Sequence, residues 1–316
     1  MRSQGAVAAT SVATALACAA ALVACGGGRR HGAAPSPATA AASVTSATTA
    51  SQGRVQPGAT PGGLTRYPIV LIHGMAGFAQ VGPVHYFNGV ADRLRAAGCE
   101  VLVTQSSPVH TVAHRAGEVR DQLLRAFPDP AVKVNLIGHS QGGLDARYLV
   151  ASLGLADRVA SVTTIGTPHR GSVVADLALG LIPGQAQAAI DLFLNGLGMD
   201  WNQITDLSTV QARAVFNPSN PDDPRVWYQS WSGRAEPRGT GAFARLNPVF
   251  YPTFPLMLTE GENDGIVSVQ SSRWGEWRGA IPCDHAGEIG WPFGASGFDH
   301  LGFYEQLARD LARRGF

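Results

Sequence analysis

Apolar residues from about position 64 to the C-terminus fall into two alternating patterns. Unbroken apolar runs of strand length predict strands at 67–72, 100–104, 132–137, 159–165 and 254–259. Helical spacing of apolar positions predicts helices at 85–97, 112–127, 142–153 and 301–314. Unbroken apolar runs are typical of strands covered on both faces, and alternation with helices indicates crossover connections. The sequence therefore predicts an α/β fold with a mostly parallel central sheet flanked by helices.

The first 64 residues do not share this pattern. An Ala-rich apolar run ends in Leu22-Val23-Ala24-Cys25, and small residues before a cysteine are typical of a lipoprotein signal peptide whose cysteine becomes acylated. Residues 26–64 are rich in Ala, Ser, Thr, Pro and Gly, so they predict a disordered tether. We expect a signal peptide at 1–25, a tether at 26–64 and a folded domain at 65–316. Export would leave this domain in the cell envelope, anchored through acylated Cys25, or secreted after ordinary cleavage.

The stretch from about 171 to 224 is too long for a simple crossover between strands. It contains amphipathic segments at 173–182 and 187–197. We therefore expect a helical insertion here, which covers either the hydrophobic core or a binding site beside it.

Composition narrows the class of protein. Hydrophobic residues make up 45% of the chain and charged residues 15%, which excludes a wholly disordered chain and suits a large buried core. The formal net charge of +1 gives no general basic surface of the kind that binds nucleic acid, so we expect no nucleic-acid partner.

Ser140 lies in the motif Gly138-His139-Ser140-Gln141-Gly142, between the predicted strand 132–137 and the predicted helix 142–153. A Gly-x-Ser-x-Gly motif in this context is typical of a nucleophilic serine, because the glycines permit a turn tight enough to lift the hydroxyl above the sheet. A Gly-rich turn with an inert serine is the alternative. The strand before the motif and the helix after it favour the nucleophile.

A serine nucleophile needs two backbone N–H donors for the oxyanion that forms in the reaction. One is expected from Gln141, the residue after the serine. The strand 67–72 runs into His73-Gly74-Met75-Ala76-Gly77, where the glycines allow the backbone to come close to the site. We therefore predict an oxyanion hole formed by the N–H groups of Met75 and Gln141.

The serine also needs a histidine base and an acid that orients the base, in the chain order Ser, acid, His. Asp264 is the preferred acid because it follows the predicted strand 254–259, and the carboxyl ends of parallel strands share one edge of the sheet. Glu262 is the alternative. His285 and His300 both follow Asp264, but His300 opens the predicted last helix after a capping aspartate and so has a structural reason for its position. We predict a base at His285, with His300 as the runner-up.

Five segments carry a resemblance to a known family. They are YPIVLIHGMAGF at 67–78, GHSQGG at 138–143, TIGTPHRGS at 164–172, WSG at 231–233 and NDGIVS at 263–268. Together they resemble the secreted triacylglycerol lipases of Pseudomonas and Burkholderia, which belong to the α/β-hydrolase superfamily. The resemblance implies an α/β-hydrolase fold, a helical lid in the insertion and hydrolysis of carboxylic esters. It supports the nucleophile, acid and oxyanion residues given above, and its interval from acid to histidine favours His285.

Two features of that family are not matched. Where those lipases carry an aspartate calcium ligand two residues after the catalytic histidine, this chain has Gly287, which makes a structural calcium ion doubtful. Where they carry a disulfide cysteine after the acid, this chain has Gln270. Cys99 and Cys283 are expected at opposite edges of the sheet, too far apart for a bond that needs Cα atoms within about 7 Å. We predict two free thiols.

These residues together predict a serine hydrolase that cleaves esters through an acyl-enzyme and needs no organic cofactor and no metal ion in the reaction. The expected activity is that of a triacylglycerol lipase acting on lipid at an interface. The alternatives are a short-chain esterase, an acyltransferase with the same triad, and a non-catalytic envelope lipoprotein with this fold.

Overall fold

The computed structural model of the protein describes residues 63–81, 84–181, 204–291 and 297–316. The predicted signal peptide, the tether as far as residue 62, and the amphipathic segment predicted at 187–197 lie outside these ranges. Within them, no helix has both the length and the apolar character that crossing a bilayer requires.

Parallel strands form the main sheet. In chain order, the strands of the described ranges are β1 (Ile69–Ile72), β2 (Gln80–Val81), β3 (Val84–His85), β4 (Val101–Val103), β5 (Val134–His139), β6 (Val159–Ile165), β7 (Trp227–Gly233), β8 (Ala235–Glu236), β9 (Ala244–Arg245) and β10 (Glu276–Ile281). Six of them form a sheet in the order β10-β7-β6-β5-β1-β4, with every neighbouring pair parallel. β2 pairs with β3, and β8 with β9, as separate ribbons.

Helices cover both faces of this sheet. In the described ranges they are α1 (Val90–Ala96), α2 (Val112–Ala126), α3 (Gln141–Ala151), α4 (Val173–Ala178), α5 (Thr209–Gln211), α6 (Asn217–Ser219), α7 (Phe254–Met257), α8 (Val269–Ser272) and α9 (His300–Arg313). A π-helical segment, Ala212–Phe216, joins α5 to α6. Short 3-10 turns lie at Ala156–Arg158, Thr205–Leu207, Pro248–Phe250, Leu258–Glu260 and Gly287–Ile289.

The side chains of β1 show how the core is divided. Successive side chains of a strand point to opposite faces. Val70 and Ile72 therefore pack with α2 and α3 on one face, whereas Ile69 and Leu71 pack with α1 and α9 on the other. All four are fully buried, and each such side chain stabilises the fold by about 1.5–3 kcal/mol. Because all six strands are parallel, their carboxyl ends lie at one edge of the sheet.

Most predicted elements are present within a few residues of their predicted bounds. β6 has the bounds predicted for it, 159–165. The last helix begins at His300, and its N-cap Asp299 accepts a hydrogen bond from the N–H of Gly302 at 2.9 Å. The prediction of an α/β fold with a mostly parallel sheet is confirmed.

The strand predicted at 254–259 is wrong, because the chain forms α7 and then the 3-10 turn Leu258–Glu260. Pro255 lies in the first turn of α7, a position that suits proline, and it lacks the N–H that a strand would need. β7 and β10 were not predicted, because both mix polar and apolar residues. In β7, Gln229 is buried and its Nε2 donates to Thr163 Oγ1 at 2.8 Å. A strand with buried polar residues of this kind has no unbroken apolar run.

The prediction of two free thiols is confirmed, since Cys99 and Cys283 are both buried and unbonded. Cys99 precedes β4 and Cys283 follows β10, and these strands are the two edges of the sheet. Burial raises the pKa of both thiols above the ordinary value.

The insertion predicted at about 171–224 is helical where the structure describes it. α4, the turn Thr205–Leu207, α5, the π-helical segment and α6 all belong to it, while residues 182–203 lie outside the described ranges. α4 packs against α5 and α7. The Ser172 hydroxyl caps α4 by accepting the N–H of Val174.

Candidate active site

Ser140 occupies the turn between β5 and α3. Its φ of 54° and ψ of −130° lie in a region that residues with a side chain rarely adopt. The turn is closed by close backbone approach, because a Cβ at Gly138 would lie 2.5 Å from the carbonyl oxygen of Gly142. Only glycine fits there, so the motif spacing follows directly from this turn.

The loop that follows β1 lies against Ser140. A Cβ at Gly74 would be 2.7 Å from the Cβ of Ser140, so the backbone of Gly74 lies directly against the Ser140 side chain. Ala76 has a positive φ of 54°, and its N–H donates to the carbonyl oxygen of Pro108 at 2.7 Å. In the described part of the chain, the N–H groups of Met75 and Gln141 have no hydrogen-bond acceptor.

Asp264 and His285 are brought together. His285 Nδ1 lies 2.8 Å from Asp264 Oδ2, and the His285 backbone N–H donates to the Asp264 carbonyl oxygen at 3.0 Å. The other carboxylate oxygen of Asp264, Oδ1, accepts the N–H groups of Ile266 at 2.9 Å and Val267 at 2.7 Å. The buried carboxylate is therefore held in one orientation, as an acid that orients a base should be.

The reason given above for Asp264 was wrong, although the residue lies beside a histidine. Asp264 follows the 3-10 turn Leu258–Glu260 and not a strand. It reaches the carboxyl edge of the sheet because its neighbour Asn263 accepts, through its carbonyl oxygen, the N–H of Ala235 just beyond β7 at 2.9 Å.

The alternative residues lie elsewhere. His300 Nε2 is 2.8 Å from the carbonyl oxygen of Asn88, at the start of α9. Glu262 pairs with Arg234 at 3.3 Å on an exposed surface. The imidazole next to Asp264 is that of His285, whose ring centroid lies 4.6 Å from the ring of His139, the residue before Ser140.

Two further buried groups, His139 and Glu288, adjoin His285, and a third, Tyr86, bonds to His139. Tyr86 Oη lies 2.7 Å from His139 Nδ1, and His139 Nε2 lies 2.9 Å from Glu288 Oε2. Glu288 Oε2 is 3.6 Å from His285 Nδ1. Burial, reinforced by the charge of Asp264, raises the pKa of Glu288 well above its usual range, and burial lowers that of His139. Both shifts disfavour charge, on the Glu288 carboxyl as on the His139 imidazole.

Glu288 is not among the site residues predicted from the sequence. The sequence feature that corresponds to Glu288 is a pair of glycines in other segments. A Cβ at Gly166 would overlap the Glu288 carboxyl group, and a Cβ at Gly233 would lie 2.5 Å from Glu288 Oε1. These glycines leave room for the carboxyl group. A single sequence does not reveal that they face it.

The residues present do not fit the calcium ion that the resemblance implies. Gly287 offers no side-chain oxygen, and both carboxylate oxygens of Asp284 accept backbone N–H groups, from Gly287 at 2.7 Å and Asn247 at 2.8 Å. Calcium takes six to eight oxygen ligands. In the described ranges, one group of side chains has ligand atoms close enough to hold a metal ion, namely His139, His285 and Glu288. Its His285 Nδ1 is already bonded to Asp264.

Solved structures share this architecture. The mature form of the lipase BlEst2 from Bacillus licheniformis superposes with a TM-score of 0.63 over 81% of this chain and 96% of that chain, at 20% sequence identity. This superposition, like the serine turn at the carboxyl edge of a parallel sheet, shows that the protein has the α/β-hydrolase fold.

Sequence relatives narrow the class. This chain is 34% identical over 286 residues to a triacylglycerol lipase of Vibrio cholerae, covering 79% of this chain and 89% of that protein. It is 33% identical over 265 residues to a triacylglycerol lipase of Pseudomonas fragi, covering 71% and 88%. A family model described as palmitoyl protein thioesterase matches residues 68–216. The chain belongs to the triacylglycerol lipase family, as its motifs indicated, and is an enzyme with lipase or esterase activity.

Proposed function

We propose that the protein hydrolyses esters through a triad of Ser140, His285 and Asp264, with an oxyanion hole formed by the N–H groups of Met75 and Gln141. The observation that carries this proposal is the 2.8 Å hydrogen bond between Asp264 and His285, beside the strained turn of Ser140. It is supported by the two backbone N–H groups that no acceptor in the described ranges engages.

The reaction has two steps. His285 Nε2 accepts the proton of the Ser140 hydroxyl as Oγ attacks the ester carbonyl carbon, while Nδ1–H stays bonded to Asp264. The two N–H groups stabilise the oxyanion, the C–O bond breaks, and the proton passes from His285 to the departing alcohol. Water then attacks the acyl-enzyme by the same route, which releases the fatty acid and restores the serine.

The test is the Ser140→Ala variant of the full chain, assayed with p-nitrophenyl butyrate. Turnover should fall by about 10⁴-fold or more, and labelling by a fluorophosphonate should be lost. Ser219→Ala is the matched control, since Ser219 is exposed at the end of α6. Retained turnover in Ser140→Ala would rule out the mechanism.

We propose that the substrate is a triacylglycerol presented at a lipid surface. Three exposed apolar side chains lie on or beside elements that pack together: Leu181 after α4 at 53% exposure, Val210 on α5 at 64% and Leu258 after α7 at 58%. Exposed apolar surface of this kind is typical of a site that meets lipid or a partner. The family name of the curated relatives agrees with this substrate.

A tributyrin titration tests this substrate class. We expect the rate to rise steeply once tributyrin exceeds its solubility, and the double variant Val210→Ser/Leu258→Ser to reduce that rise while keeping turnover of the soluble ester. Leu124→Ser, on an exposed position of α2, is the control. A hyperbolic dependence without a rise would instead favour the short-chain esterase.

Two other reactions use the same acyl-enzyme chemistry: transfer of the acyl group to an alcohol, and hydrolysis of a thioester. Product analysis with added alcohol separates an acyltransferase, which forms a new ester, from a hydrolase. Because a thioesterase family model matches residues 68–216, a palmitoyl thioester belongs in the same substrate panel.

We also propose, from the sequence, that acylated Cys25 anchors the exported protein to a membrane. The Cys25→Ser variant should leave the membrane fraction and appear in the soluble fraction after cell breakage. An unchanged distribution would favour ordinary secretory cleavage.

A further inference from the structure

One buried ion pair links the segments that supply the two proposed oxyanion donors. Arg115 of α2 and Asp145 of α3 have fully buried side chains, and Arg115 Nε donates to Asp145 Oδ2 at 2.9 Å. The same guanidinium donates from Nη2 to the His73 carbonyl oxygen at 2.6 Å and from Nη1 to the Ser107 carbonyl oxygen at 2.5 Å. A planar guanidinium with five N–H donors can serve three acceptors at once, which a lysine cannot do in this geometry.

Both carbonyl groups adjoin the loop after β1 that contains Met75 and Ala76, which we call the oxyanion loop. His73 is the residue directly before this loop. Ser107 precedes Pro108, whose carbonyl oxygen accepts the N–H of Ala76 at 2.7 Å. The guanidinium therefore fixes the start of the loop and also the segment to which the far side of the loop is bonded.

The third acceptor of the Arg115 guanidinium, the Asp145 carboxylate, connects the oxyanion loop to α3, the helix that follows Ser140. Asp145 lies four residues after Gln141 in α3, one helical turn along the same helix. The carboxylate thus holds the guanidinium to the helix whose first residue supplies the second donor. The positions of the two donors are set relative to one rigid group.

We propose that Arg115 and Asp145 are positioning residues for the oxyanion hole. Arg115 holds the loop so that the Met75 N–H converges with the Gln141 N–H, and Asp145 holds Arg115. This inference rests on the proposed function, in which those N–H groups stabilise the oxyanion. Both side chains are fully buried and bond only to protein groups given above, so they act through the backbone.

The ion pair changes its charge near neutral pH. Burial raises the pKa of Asp145 to about 7, opposed by Arg115 and reinforced by the charges of Asp206 and Glu118. The last two carboxylates already accept backbone N–H groups. His73 stays neutral, because burial and Arg115 lower its pKa to about 3. As the pH falls through 7, Asp145 becomes protonated, the guanidinium loses its ionic partner and the loop is held less firmly.

Arg115→Lys and Asp145→Asn test the proposal, assayed in the full chain with p-nitrophenyl butyrate. We expect kcat to fall about 10- to 100-fold with KM changed by less than about twofold, because only the transition state uses the oxyanion hole. The inhibition constant of an alkyl boronic acid, which forms a tetrahedral adduct with the serine, should rise by the same factor.

Arg158→Lys is the matched control for loss of a buried guanidinium. Arg158 Nε donates to the Val132 carbonyl oxygen at 2.9 Å and Nη2 to the Phe127 carbonyl oxygen at 2.6 Å, next to the amino end of β6. This variant should lose stability and keep both kcat and the boronate inhibition constant.

The pH profile gives a second readout that a purely structural role would not move. In the wild type, protonation of Asp145 should lower kcat/KM as the pH falls below about 7. Asp145→Asn lacks this titration, so the ratio of its kcat/KM to that of the wild type should rise toward 1 as the pH falls.

If the single variants do not fold, Arg115→Met/Asp145→Leu removes both charges together, a replacement that proteins tolerate well. It should fold and show the same loss of kcat. Wild-type kcat and boronate inhibition in this variant, or in folded single variants, would overturn the proposal. If the proposal is overturned in this way and Ser140→Ala is inactive, the proposed function still holds. If Ser140→Ala is active, the proposed function itself is contradicted.

Discussion

Glycine and alanine at position 140 remove the same hydroxyl but differ in backbone strain. Ser140 has a φ of 54° and a ψ of −130°, and a residue with a Cβ in such a region costs about 1–3 kcal/mol. Alanine keeps that cost, whereas glycine adopts the conformation freely. Because both variants are expected to be inactive, their difference reports the strain of the turn alone.

The expected difference follows from two opposing effects. Relief of strain stabilises the glycine variant by about 1–3 kcal/mol, and the greater freedom of glycine in the unfolded chain costs about 0.5–1 kcal/mol. Ser140→Gly should therefore have a free energy of unfolding about 1 kcal/mol above that of Ser140→Ala. For a domain of this size that corresponds to a rise in Tm of roughly 3 °C.

Urea unfolding followed by tryptophan fluorescence measures this difference. The same two substitutions at Ser219, the exposed last residue of α6, are the control. There the order should reverse, with glycine less stable than alanine by up to about 1 kcal/mol. If Ser140→Gly is no more stable than Ser140→Ala while Ser219 shows the reversed order, the turn is not strained and the reasoning fails.

Three further predictions concern groups around the site. Gly74→Ala should lower kcat by about 10²-fold, since its Cβ would lie 2.7 Å from that of Ser140, whereas Gly117→Ala in α2, which meets open space, should keep full activity. In urea unfolding, Glu288→Gln should become more stable relative to the wild type as the pH rises from 5 to 8. Folding raises the pKa of the Glu288 carboxyl, so above its unfolded pKa the wild type loses stability with rising pH, whereas glutamine does not titrate. Dialysis against EDTA should leave turnover unchanged, because Gly287 offers no calcium ligand; a loss restored by calcium would contradict this.

Local patterns carried much of the fold and part of the site. The strands β5 and β6 are buried on both faces, so their unbroken apolar runs predicted them correctly. The turn at Ser140 was predictable because one of its glycines, Gly138, is required by a backbone contact with Gly142, four residues along the chain. The Asp299 cap of the last helix was readable for the same reason, since it acts over three residues.

The features that the sequence did not predict depend on contacts between distant segments. β7 was not predicted because polar residues interrupt it, and the partner of its Gln229 on β6 lies 66 positions away. Asp264 was chosen from a strand that does not exist, and only the fold brings it next to His285. Arg115 and Asp145 stand 30 positions apart on two helices, and neither helix pattern shows that their polar groups face each other across the core.

The two cysteines of the folded domain have a practical consequence for work on this enzyme. The thiolate is the form that reacts with maleimides and haloacetamides, and both Cys99 and Cys283 are shielded from such reagents while their protonated forms are favoured. A cysteine introduced at exposed Leu181 would outcompete both for a fluorescent dye. Spectroscopic reporters of the insertion can therefore be attached beside α4 without first replacing either natural cysteine of the folded domain.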